Sequence, residues 1–133
     1  MRVYLVRHAE ALPGDPDEPD ELRPLSAAGV EQARLLGERL ATASPRVVIS
    51  SPLLRARETA AAIAKAADAE LLIDERLEPG ASVASLLAAV EGHATPVVVV
   101  GHQPDCSEIV AGLRGGEPPP YPPAGVVELD LPL

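Results

Sequence analysis

Arg7 and His8 close one apolar run, VYLV at 3–6, and His102 follows another, VVVV at 97–100, after Gly101. A third run, VVIS at 47–50, leads through Ser51 and Pro52 into a segment that carries Arg55. Guanidinium and imidazole suit tetrahedral oxyanions. Arginine's planar fork makes bidentate, charge-assisted hydrogen bonds to phosphate oxygens, each typically about 1.5 to 3 kcal/mol. Neutral imidazole is a competent nucleophile, and a phosphohistidine intermediate divides one hard displacement into two easier ones. Guanidiniums nearby help keep the ring neutral, because like charge lowers its pKa. Two arginines and two histidines around one anion would make a phosphoryl-transfer site, provided the chain brings them together.

The elements that must do so are written in the periodicity. The runs at 3–6, 47–50 and 97–100 are continuous and β-branched, as strands buried on both faces are. LLI at 71–73 reads as a shorter strand, and VVELDL at 126–131 alternates like a half-exposed one. Residues 25–41 read as a helix with Ser26 as N-cap and Val30, Ala33, Leu36, Gly37 and Leu40 on its inner face. Residues 51–67 read as a second helix, capped by Ser51 with Pro52 at its first position. Further helices are expected over 83–91 and 104–113. Strands alternating with helices predict crossover units, hence an α/β fold with a mostly parallel sheet covered on both faces. Ligands of such sheets bind beyond the carboxyl ends of the strands. Arg7, His8, Arg55 and His102 would converge there, and the N-terminus of the 51–67 helix would add its own preference for anions.

Composition narrows the partners. A chain of 133 residues suits one domain, and a net charge of -9 argues against nucleic acid and anionic membrane surfaces. An anionic substrate then needs a local cationic pocket. Cys106 is the only cysteine, which excludes an intrachain disulfide and a four-cysteine metal site; it reads as a small buried apolar residue in a reducing compartment. The amino terminus enters a strand pattern at once and no long apolar stretch follows, so a soluble cytoplasmic protein is expected. Segments 12–24 and 115–123 are rich in turn formers and read as loops.

Other residues invite chemistry less well. Ser50 and Ser51 lack the G-x-S-x-G setting of a nucleophile. HAE at 8–10 matches the H-x-E of zinc deaminases, but the companion P-C-x-x-C is missing. The acidic stretch DPDEPDE at 15–21 is interrupted by Pro16 and Pro19, which defeats a calcium-loop reading and leaves a solvated surface loop, with repulsion of acidic substrates as its alternative use. His93 suits a helix end, Arg57 faces away from Arg55, and Thr59 shares Arg55's face and is expected to pack there.

At this point the motifs carry a resemblance. RHAE at 7–10 resembles the RHG/RHA signature of the histidine phosphatase superfamily, relatives of cofactor-dependent phosphoglycerate mutase. LSAAGVEQA (25–33), SSPLLRARETA (50–60) and VVVVGHQP (97–104) resemble its later motifs in the right order. The resemblance implies a three-layer α/β/α sandwich with strand order 3-2-4-1-5, the last strand antiparallel, forming one domain over 1–133 with no lid or cap insertion. It implies His8 as the phosphorylated nucleophile, Arg7 and Arg55 as phosphate clamps, and His102 as the second histidine on the transferring group, with no metal and no cofactor. Many members place a glutamate after the third strand to protonate the leaving oxygen. Here that region reads DERLEPGAS (74–82), a departure that leaves Glu78 as the candidate acid. The nearest resemblance is to the bacterial SixA-type phosphohistidine phosphatases, so a phosphorylated protein is the expected partner and substrate. A small sugar or nucleotide-precursor phosphate ester is the alternative substrate, and a non-catalytic phosphohistidine-binding module the alternative of another class.

Overall fold

The computed structural model describes residues 1–132. Five strands and four helices alternate: β1 Arg2–Arg7, α1 Ala27–Ala41, β2 Val47–Ser50, α2 Leu54–Ala67, β3 Glu70–Ile73, α3 Val83–Val90, β4 Val97–Gly101, α4 Asp105–Arg114 and β5 Val126–Asp130. The sheet runs β3-β2-β4-β1-β5, with β1 parallel to β4 and antiparallel to β5. Fold class, order and the reversed last strand are those expected. Among the described residues no helix is long and apolar enough to cross a membrane.

Every residue of β2 and β4 is buried, because helices cover both faces. Side chains alternate across the pleat. Val3, Leu5, Val97 and Val99 face Leu86 and Val90 of α3 and Ile109 and Val110 of α4. Val6, Val48, Val98 and Val100 face Leu36 and Leu40 of α1 and Ala56 and Ile63 of α2. Aliphatic side chains fill both layers. Cys106 lies in the first of them, and burial pushes its thiol up to about 12, so it remains an inert thiol.

Two details of the helices differ from expectation. Ser26 does cap α1, accepting from the Gly29 amide, but Val30 is 56% exposed and Gly29 takes its inward place. The helix is turned so that Gly29 lies beneath the Glu10 carbonyl; a Cβ there would come within 1.9 Å of that oxygen, which only glycine avoids. Helix α2 starts at Leu54, not at Pro52, and its N-cap Leu53 makes no side-chain cap. The cause is the sheet: the Ser51 amide donates to Val100 O at 3.1 Å, which prolongs the extended backbone past β2 and delays the turn.

Candidate active site

The sheet register sets the chemistry at one edge. Arg7 pairs with Gly101 and Ser50 with Val100, so the residues that follow β1, β2 and β4 emerge side by side. The His8 amide donates to Gly101 O at 3.0 Å, which fixes the start of its loop to the end of β4. The His8 and His102 rings lie with centroids 5.2 Å apart. A cleft of about 430 Å³ opens over them, lined by Arg7, His8, Arg55 and His102 and also by Glu10, Asp20, Arg23 and Pro79. A larger hollow of about 770 Å³ runs along β5, but its lining contains no imidazole.

Each of the four side chains is held by a different neighbour. Arg7 donates from Nη1 to Tyr121 O at 2.8 Å, and the Tyr121 hydroxyl donates in turn to Leu5 O. The proline-rich loop 115–123 therefore anchors the first guanidinium. His8 Nδ1 lies 2.7 Å from Ala9 O; a carbonyl only accepts, so Nδ1 carries the proton and Nε2 keeps its lone pair. Arg55 has only 6% of its side chain exposed and gives Nη1 to Asp20 O at 3.0 Å and Nη2 to the Asp20 carboxylate at 3.2 Å. His102 Nε2 meets Ser51 Oγ at 2.7 Å. Three buried nitrogens of this group, Arg7 Nε, Arg55 Nε and His102 Nδ1, have no partner among the described residues. Orphaned polar atoms are rare in folded interiors, and at a cleft edge they are donors that water, an ion or a bound anion can satisfy.

Both imidazoles are neutral at pH 7. Burial draws His8 down to about 4, against the hydrogen bond to Ala9 O, and the charges of Arg55 and Arg7 add to the fall. His102 falls to about 3, again by burial first and then by the proximity of His8 and Arg55. The arginines were expected to keep the nucleophile neutral; they contribute, but removal from water leads. An unfolded histidine titrates near 6.5, so below that value the unfolded chain binds protons the folded chain refuses. Stability is therefore complete above about pH 6.5 and is lost as pH falls toward 4 and then 3, by up to about 1.4 kcal/mol per pH unit for each ring. Urea midpoints measured between about pH 7.5 and about pH 5 should fall along that slope, and the His8→Ala chain should show a shallower fall.

The comparisons with known proteins fit this edge. A family model described as histidine phosphatase superfamily (branch 1) matches residues 3–79. The chain belongs to the histidine phosphatase superfamily. An uncharacterized protein from Picosynechococcus is 34% identical over 127 residues, covering 88% of this chain and 75% of its own length. Proteins named phosphoglycerate mutase GpmB also match; that of Photorhabdus laumondii is 37% identical over 84 residues, which are 58% of this chain and 37% of the relative. Among solved structures, a SixA from Agrobacterium tumefaciens superposes with a TM-score of 0.84 at 29% identity, covering 97% of this chain and 90% of its own. The protein histidine phosphatase SixA complexed with tungstate gives the same TM-score at 27% identity, covering 98% and 88%. Membership of the superfamily supports a phosphatase or mutase activity for this chain.

Within the superfamily frame, some residues lie elsewhere than expected. Glu78 is exposed and terminates a short turn at Glu75–Leu77; Pro79, not Glu78, lines the cleft. Asp105 accepts from the amides of Gly80 and Ala81 at 2.8 and 3.1 Å and ties that turn to α4. Because Glu78 is exposed and does not line the cleft, Glu78→Gln should slow ester hydrolysis by less than about tenfold in steady-state assays, against the 10²- to 10⁴-fold of a general acid. Thr59 does more than pack: it accepts from the Ala9 amide at 3.0 Å and donates to Arg55 O at 2.8 Å, which links the His8 loop to α2. Arg57 is exposed, as expected.

Sequence reading missed Asp20 and Arg23. The 15–21 stretch is exposed throughout, as expected, yet Asp20, with 63% of its side chain exposed, reaches Arg55 and accepts from Arg23 Nε at 2.7 Å. The Arg23 hydrogen bond and the charges of Arg55 and Arg23 hold Asp20 below the usual carboxylate range. The available signal was the spacing: Asp20 and Arg23 are three apart, the reach of an ion pair across one tight turn, and the chain forms such a turn at Asp20–Leu22.

Proposed function

We propose that this chain is a metal-independent phosphatase that transfers a phosphoryl group through His8, with phosphohistidine in a protein as its substrate. On this reading residues 1–133 are one domain with no lid over the cleft, working in the cytoplasm of a bacterium. The observation that carries it is the His8 ring: neutral, with Nδ1 committed to Ala9 O and Nε2 free among the described residues, beside guanidiniums whose Nε groups likewise have no partner among them. Arg7 and Arg55 would balance the charge of the phosphoryl oxygens, and His102 would donate to one of them. His8 Nε2 attacks phosphorus in line as the bond to the leaving group breaks. Water then attacks the phosphohistidine, releasing phosphate and the neutral ring.

The substrate class follows from what the cleft lacks. Of its two lining carboxyls, Asp20 is kept ionised by its arginines, and the exposed Glu10 side chain is engaged by the Ser26 hydroxyl, from which it accepts at 2.9 Å. An alkoxide needs a proton delivered as it leaves. An imidazole, once protonated, carries less developing negative charge, so a phosphohistidine tolerates a site without a placed acid. The likeness to SixA structures, one of them holding the tetrahedral oxyanion tungstate, supports the same choice. The GpmB relatives favour a second reading, a small phosphate ester.

A direct comparison separates them. Catalytic efficiency on a phosphohistidine protein, set against a panel of sugar and nucleotide-precursor phosphates, should favour the protein by at least about tenfold, roughly 1.4 kcal/mol in transition-state binding. Preference for the sugars overturns this ranking.

A further inference from the structure

The two histidines are held differently, and the difference matters at the second one. His8 is held by a carbonyl, which only accepts. His102 is held by a hydroxyl, which can do either. Counting protons around Ser51 removes the ambiguity. Ser51 is fully buried, and its Oγ has two neighbours: the Leu53 amide at 3.2 Å and His102 Nε2 at 2.7 Å. The amide must donate, so it occupies one oxygen lone pair. The hydroxyl proton then has a single acceptor to reach, the Nε2 lone pair. Were Nε2 protonated instead, the hydroxyl hydrogen would be buried without an acceptor, and the buried Nδ1, without a partner among the described residues, would hold a lone pair in a residue that lines the cleft.

We propose that Ser51 is a positioning residue that sets His102 as the Nδ1–H tautomer, so that its one ring proton is available to an anion in the cleft. The consequence for the anion rests on the phosphatase reading above; the tautomer itself does not. Burial keeps His102 neutral, so it has only one proton to offer, and a donor needed at Nδ1 cannot be supplied by charging the ring. The placement also accounts for the late start of α2. The backbone stays extended through Ser51, so that its hydroxyl is spent on His102 and the Leu53 amide and not on capping a helix at Pro52.

Two-bond proton–nitrogen spectra of uniformly ¹⁵N-labelled, ligand-free protein near neutral pH distinguish a protonated from an unprotonated ring nitrogen. Wild type should show the His102 proton on Nδ1. Ser51→Ala should spread it over both nitrogens and weaken inorganic phosphate binding by about 5- to 10-fold, and Ser51→Thr, which keeps the hydroxyl, should restore both. If Ser51→Ala does not fold, Ser51→Cys, a near-isosteric and weaker donor, should move both readouts the same way. A wild-type proton on Nε2, or a tautomer unchanged in the folded Ala or Cys variant, overturns the proposal. Wild type that shows Nδ1–H yet binds no phosphate upholds the role of the hydroxyl and overturns the phosphatase reading instead.

Discussion

His8→Ala should remove turnover of a chromogenic phosphate ester by at least about 10³-fold, with the wild-type rate unchanged by a chelator. The magnitude follows from the role. Among the described residues His8 Nε2 has no partner, whereas His8 Nδ1 is paired with Ala9 O and His102 Nε2 with Ser51; His102 Nδ1, also without a partner, carries the ring proton on the tautomer proposed above. On the proposed reading, removing that ring would leave the arginines in place but delete the atom that receives the phosphoryl group, so no pathway through a covalent intermediate would survive. Rapid quench and mass spectrometry of the wild type should locate the phosphoryl group on His8, with none trapped in the variant. A wild type that binds phosphate but turns nothing over would point to the phosphohistidine-binding module.

Arg55→Lys should lower catalytic efficiency by about 10² to 10³, the range for losing one preorganised electrostatic donor, although the charge is kept. The guanidinium spans two partners on Asp20, a backbone carbonyl and a carboxylate, and has a third donor, Nε, without a partner. An ammonium is a point charge that cannot hold all three directions. Far-UV spectra should show the fold retained, because the backbone contacts of Arg55 and Thr59 survive. Arg57→Ala, exposed on the same helix, should keep activity within about twofold and serves as the control.

Much of this site was legible because it lies at strand ends. A buried β-branched run announces both the strand and the point at which it surfaces, so Arg7, His8 and His102 could be placed before any coordinates; the strand order came from the family resemblance, since periodicity alone does not say which strands neighbour. What stayed hidden depends on contacts between distant segments. The role of Ser51 comes from meeting His102 across β2 and β4, and a local reading, which knows only that serine followed by proline starts helices, assigned it as a cap. Val30 was placed inward by helical spacing, yet the close approach of Glu10 to Gly29 turns the helix. In the acidic stretch, composition showed that the segment is polar but not which carboxylate returns to the cleft.

The contact between Asp20 and Arg55 changes how binding strength at this edge should be read. On the proposed reading, an arriving phosphate would not meet a bare cation but one already paired with a carboxylate, and would compete with Asp20 for Arg55. Affinity for the anion is then a difference between two ion pairs, smaller than either alone, and the energy so held back eases the exit of product. A clamp built to exchange partners favours repeated turnover over tight capture.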